Sequence, residues 1–305
     1  MRGSITRPPS ERKTEGLRAM CAMPLRPSAD EAIAAYRAAV VANRAQVERL
    51  RDLVPPAGGD FWVDRAARFR PGALDAEEMP ALEAIALPDD VWMDIGAGGG
   101  RFALPVARLV AQVIAVEPSA AMRAVLAEAF ASEARTNYEV LDLRWPPSPS
   151  EASQVPVVDV SLIANVLYDA ADVDAFLAAA EAHTRRRCVV ITSDRAPSTP
   201  DADIWQALYG EALCPLPALT DFVAVLGALG RCYDITTFPV RGPEPVTLDR
   251  ALDEMRWRYW VAPGSDAEAR LGELFHQHFG QPSGLIQLPP RRNYSAVVSW
   301  EPAPR

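Results

Sequence analysis

Three features of the sequence predict an α/β fold built on a seven-stranded, mostly parallel, doubly wound sheet. From residue 90 short apolar runs alternate with helical stretches, the pattern of strands joined by crossover helices. One junction, Val91 to Phe102, passes from a strand through a glycine-rich turn into a helix. The chain then closes with a strand, a helical insert and a last strand.

Taken in order, residues 1–28 are rich in Pro, Arg and Ser and are expected to form a flexible tail. Residues 29–88 are expected to form a helical cover. Ser28 and Glu31 make a capping box, and Ile33, Tyr36, Val40, Val47 and Leu50 recur at helical spacing up to Pro55. A short helix is expected around Ala76 to Ala86. Residues 89–305 form the main domain, with strands at Val91–Ile95, Val113–Val116, Tyr138–Leu141, Val157–Ile163 and Cys188–Thr192. Helices fit between most of them, at Phe102–Leu109, Ser119–Ala131 and Val173–His183. Beyond residue 194 helical inserts are expected near 202–229 and 248–280, with strands at Cys232–Val240 and Tyr294–Trp300.

Charge and composition narrow the function. Among 305 residues, 31 basic side chains face 40 acidic ones, and a net charge of −9 argues against a surface built to coat nucleic acid. No apolar run reaches the length of a membrane span. The four cysteines, Cys21, Cys188, Cys214 and Cys232, include no C-x-x-C pair, so no metal ribbon is expected and a reduced, cytoplasmic location is.

The informative stretch is Val91-Trp92-Met93-Asp94-Ile95-Gly96-Ala97-Gly98-Gly99-Gly100-Arg101-Phe102. A bare turn between strand and helix lets backbone approach a nucleotide-like ligand. Arg101 stands where a dinucleotide fingerprint has its third glycine, and Asp94 places a carboxylate beside the turn, which suits a cationic ligand group better than a pyrophosphate. Glu117 ends the next strand about twenty residues on, where an acid can take ribose hydroxyls.

Together these residues resemble the class I S-adenosylmethionine-dependent methyltransferases over roughly residues 89–194. The resemblance implies S-adenosyl-L-methionine as cofactor. It assigns Asp94, Gly96, Ala97, Gly98 and Gly100 to its methionine part and Glu117 to its ribose. Pro118, Met122, Asp142 and Leu143 are assigned to the adenine, and Asn165 to a place near the reacting centre. The N-P-P-Y form of several amino-methylating branches is missing, which leaves the acceptor atom open. No catalytic residue is nominated, because the sulfonium methyl is already activated and a general base is optional.

Other signals have plainer readings. His183 reads as a cation closing a helix, His276 and His278 point different ways, and no metal site is expected. Arg185-Arg186-Arg187 and Arg291-Arg292 read as solvated turns. Trp62 stands equally as core or as a lid over the cofactor. Trp205 and Tyr209 share a helix face, which favours packing, with an acceptor pocket as the second reading. Tyr168 is the leading candidate for contact with the acceptor.

The expected activity is methyl transfer to a small organic acceptor at O, N or C. Three alternatives stand beside it. An NAD-dependent oxidoreductase would need the missing glycine. A noncatalytic cofactor-binding protein would bind the cofactor without turnover. An RNA methyltransferase would use the arginine-rich loops and bind RNA with steep salt dependence.

Overall fold

The computed structural model describes residues 27–51, 66–71 and 77–303. The expected tail up to residue 26, and Trp62, lie outside the described residues.

Helix α1 (Ala29–Arg51) starts at the anticipated box: Glu31 N–H donates to Ser28 Oγ at 3.3 Å, and Ser28 N–H donates back to the Glu31 carboxylate at 2.8 Å. A 3-10 turn (Ala66–Phe69) and α2 (Met79–Ile85) lead into β1 (Val91–Ile95). There follow α3 (Ala103–Val106), β2 (Gln112–Val116), α4 (Ala120–Ser132), β3 (Tyr138–Leu141), α5 (Pro149–Ala152) and β4 (Val158–Ala164). The chain continues through a 3-10 turn (Leu167–Asp169), α6 (Val173–Ala182), β5 (Thr184–Ser193), α7 (Ala202–Tyr209) and α8 (Leu219–Ala228). Last come β6 (Tyr233–Pro239), α9 (Leu248–Met255), a 3-10 turn (Arg256–Tyr259), α10 (Asp266–Phe279) and β7 (Tyr294–Trp300).

The seven strands lie in the order β3-β2-β1-β4-β5-β7-β6, all parallel except β7, which pairs antiparallel with both its neighbours. The order reverses direction at β1 and β4, so a crevice opens at their carboxyl ends, the usual ligand position in open α/β sheets. Alternation along the strands feeds two cores. Met93, Ile95, Ile114 and Val116 pack on one face with Tyr36, Phe176 and Phe222, while Trp92, Val113 and Ala115 pack on the other with Leu82, Leu104 and Phe130. Each large side chain buried this way contributes about 1.5–3 kcal/mol relative to exposure. A third core, in the late helices, gathers Trp205, Tyr259, Leu271 and Phe275.

One reading of the sequence needs correction here. Arg185, Arg186 and Arg187 form the start of β5, not a solvated turn: Arg185 and Arg187 lie 3.3 and 3.5 Å from Asp159 and Asp234, and Arg186 bonds Asp90. Acids on neighbouring segments let a strand begin with three cations. The insert from 248 consists of α9, a 3-10 turn closed by Trp260 in the left-handed region at φ +52°, and α10.

Candidate cofactor and acceptor site

β1 carries Asp94 to the carboxyl edge, and the chain turns at once. Gly96, Gly98 and Gly100 have φ of +76°, +54° and +91°, a region closed to most side chains. The turn is tied to β2 by Gly96 and Ala97, whose N–H groups both donate to the Val116 carbonyl, at 2.8 and 3.1 Å. A Cβ at Gly96 would sit 2.5 Å from Val166 Cγ2, so β4's exit packs directly on the bend. At Gly98 an added Cβ would meet only the Met122 sulfur, 4.0 Å away, among the described residues.

Glu117 braces this bend. One carboxylate oxygen accepts from Gly98 N–H and the other from Ser119 N–H, both at 2.8 Å. Asp94 is 3% exposed and its Oδ1 has no hydrogen-bond partner. Burial, reinforced by the Glu117 charge and opposed by the Ala103 amide, pushes its carboxyl up to about 7. A buried carboxyl whose Oδ1 lacks a partner, beside a side-chain-free bend, has a place for a cationic group.

The other expected cofactor residues occupy the same rim. Pro118 is exposed, Met122 is buried against Ala66 and Val125, and Leu143 is buried. Asp142 is exposed and paired to Arg123 at 2.6 Å. Asn165 follows β4 in the left-handed region, φ +57°, which asparagine tolerates better than most residues.

Tyr168 is brought beside it. Its hydroxyl lies 2.6 Å from Ser193 Oγ and 3.4 Å from Asn165 Oδ1. Ser193 Oγ in turn donates to the Arg195 carbonyl at 2.8 Å, so its single proton is used and Tyr168 donates to it. Burial raises the Tyr168 phenol and keeps it protonated. Trp205 and Tyr209, by contrast, pack on each other with centroids 4.8 Å apart in the late-helix core; Trp205 is 1% exposed and Tyr209 donates to the Tyr259 carbonyl. The hollow lined by Leu248, Leu252, Gly272 and His276 also belongs to those helices and not to the glycine turn.

Several residues of this edge carry no sequence signal. Glu78, fully buried, lies 3.3 Å from Arg292 and 3.9 Å from Arg101. Arg292 also reaches Asn165 Oδ1 at 3.5 Å. The solvated turn expected at Arg291-Arg292 is therefore corrected for Arg292, whose side chain is 13% exposed and joins the loop before β7 to α2 and β4. Gly99 is the other omission. A Cβ there would come 2.6 Å from the Phe69 carbonyl oxygen, so the 3-10 turn of the cover presses its backbone onto the glycine turn.

Residues 93–190 match the family described as a methyltransferase domain. Residues 93–190 carry a methyltransferase domain, set in a sheet of the class I methyltransferase fold. Its fold matches that of a Bacillus halodurans C-125 protein named as a methyltransferase, with TM-score 0.50 and 14% identity over 75% of this chain and 100% of the other. Magnesium protoporphyrin IX methyltransferase from Synechocystis PCC 6803 is similar at TM-score 0.42 and 18% identity, covering 65% of this chain and 90% of that one. Coclaurine N-methyltransferase is similar at TM-score 0.46 and 12% identity, covering 95% and 99%. No curated protein sequence matches the chain.

With S-adenosylmethionine as cofactor, the residues present fit it on two observations: the unpartnered Asp94 Oδ1 suits its cationic methionine end, and the bare, uncrowded backbone at Gly98 can approach it closely. The methyltransferase also offers a steric test of its cover. Gly99→Ala keeps an ordinary backbone conformation but drives a methyl into the Phe69 carbonyl and to 2.9 Å from Val125. The expected cost is about 1–3 kcal/mol, read by urea unfolding, together with faster proteolysis between residues 51 and 79. Unchanged stability and cleavage would remove the contact between cover and turn.

Proposed function

We propose that this methyltransferase acts on a small organic acceptor. In this reading Asp94 receives the methionine end of the cofactor, and Gly96, Ala97, Gly98 and Gly100 let the backbone approach it. Glu117 takes the ribose hydroxyls, and Pro118, Met122, Asp142 and Leu143 face the adenine. Asn165, its Oδ1 engaged by Arg292, keeps its NH2 as a donor at the reacting edge. Tyr168 gives its proton to Ser193 and offers the acceptor an oxygen lone pair.

S-adenosylmethionine supplies an activated methyl group on a sulfonium sulfur. In transfer the carbon–sulfur bond would break as the acceptor nucleophile took the methyl carbon, and a proton on the nucleophile would pass to water. The chain's contribution is alignment, since holding nucleophile, carbon and sulfur in line is worth roughly 7–11 kcal/mol.

The observation that carries the acceptor's size is cover by the chain itself. The Phe69 carbonyl closes on Gly99, and Tyr36 of α1 donates to the Leu167 carbonyl at 2.9 Å, so the cover meets the sheet edge on both sides of the glycine turn. The arginine run that favoured RNA is spoken for by Asp90, Asp159 and Asp234. Titration calorimetry with S-adenosylhomocysteine should give saturable binding, and its absence at about 1 mM would withdraw the site assignment. Methyl transfer to members of a small-molecule panel but not to bulk transfer RNA is expected; the reverse result would replace the small acceptor by RNA.

A further inference from the structure

The most deeply buried arginine described pairs with no acid among the described residues. Arg258 is 3% exposed, yet among the described residues no carboxylate pairs with it. Its Nη1 meets only the Met255 sulfur, at 2.8 Å, its Nε has no hydrogen-bond partner, and its guanidinium lies 4.9 Å from the centre of the Trp257 ring. An unpaired buried charge is costly, and such groups are ordinarily neutralised by a counter-ion.

Its surroundings make matters worse. Arg291 and Arg195 add like charge, and with burial they disfavour the cation; Glu254 and Tyr259 pull the other way. Glu254 is itself paired to Arg250 at 3.0 Å and lies 3.9 Å from Arg291. The remaining acids of this edge are engaged too. Asp194 accepts from Asn293 and Tyr294, and Asp201 caps α7. The turn that carries Arg258 ends in a strained residue, Trp260 at φ +52°, a conformation that persists only where the surroundings impose it.

Hydrogen bonds link the surroundings of Arg258 to Tyr168. The Tyr259 hydroxyl accepts from Asp201 N–H at 3.0 Å, which anchors the turn to the segment leaving β5. Arg195 donates to the Pro290 and Arg291 carbonyls at 3.0 and 3.3 Å, where the chain enters β7. Ser193 connects the Arg195 carbonyl to the Tyr168 hydroxyl. Three arginines, Arg195, Arg258 and Arg291, therefore gather beyond the carboxyl end of β5 in a protein whose net charge is −9.

We infer that the acceptor is a carboxylate-bearing molecule whose anionic group is received by Arg258, with Arg195 and Arg291 beside it. The planar fork of a guanidinium matches a carboxylate's two oxygens. This inference rests on the small-acceptor reading and narrows it.

The test uses the full chain saturated with S-adenosylhomocysteine and a panel of aliphatic and aromatic carboxylates, each paired with its amide. Thermal shift and calorimetry should show carboxylates binding and their amides binding at least about tenfold more weakly. Arg258→Met should lose that preference, keep its affinity for S-adenosylhomocysteine, and raise the melting temperature of the ligand-free protein, because an unpaired buried charge has been removed. Arg258→Lys should keep part of the preference. A panel in which no carboxylate exceeds its amide, or an Arg258→Met protein that retains the preference, overturns the inference. A lower melting temperature in Arg258→Met also overturns it, since that marks a merely structural cation. Failure of the wild-type chain to bind S-adenosylhomocysteine is a separate result and strikes the cofactor site instead.

Discussion

Asp94→Asn is expected to weaken S-adenosylhomocysteine binding by about 10- to 100-fold, the loss of one charge-assisted contact in a buried site. The wild-type affinity should depend on pH and the variant's should not. With the ligand-free carboxyl at about 7, the anion that receives a cationic group is in place above that pH. Affinity should then fall by close to tenfold per pH unit below it. The stability of the ligand-free protein should move in the opposite sense. The folded state holds a proton that the unfolded chain releases near the ordinary value of 3.8, so stability declines as pH rises from there through about 7. The total is roughly 4 kcal/mol, and Asn avoids it. Calorimetry and thermal unfolding at pH 5 and pH 8 check both signs; a variant that binds as tightly as wild type at pH 8 would take Asp94 out of the site.

Glu78→Gln should be the most damaging change for the fold of this edge, at about 3–5 kcal/mol, because it strips two largely buried arginines of their shared acid. Burial already disfavours the Arg101 cation, and Glu78 is the partner that offsets this. The consequence extends beyond stability, since Arg292 holds the Asn165 amide. Denaturant midpoints should drop, and cofactor affinity should fall with them. Full stability in the variant would mean that water already serves the two guanidinium groups.

How much of this was legible from the chain depends on whether the signal was local. Val91–Ile95, Tyr138–Leu141 and Tyr294–Trp300 lie where apolar runs and turn residues place them, and Ser28 with Glu31 begins α1 as the capping pattern requires. Asp94 and the alternate glycines were readable because strand, turn and helix adjoin in sequence. Arg185 to Arg187 misled, because nothing in three adjacent cations announces that Asp90, Asp159 and Asp234 will meet them. Glu78, Gly99 and Arg258 carried no mark of their own.

From its order of residues alone the chain determined the parallel sheet, the bare bend and the acid beside it, since these depend on hydrophobic period and backbone freedom within a few neighbours. Only the folded molecule decided that Glu78 would hold two arginines from distant segments, that the Phe69 carbonyl would close on Gly99, and that Arg258 would be buried with no acid to meet it among the described residues. Ion pairing and desolvation depend on which groups come together in space, and residues 214 positions apart, such as Glu78 and Arg292, become partners only after the sheet has formed.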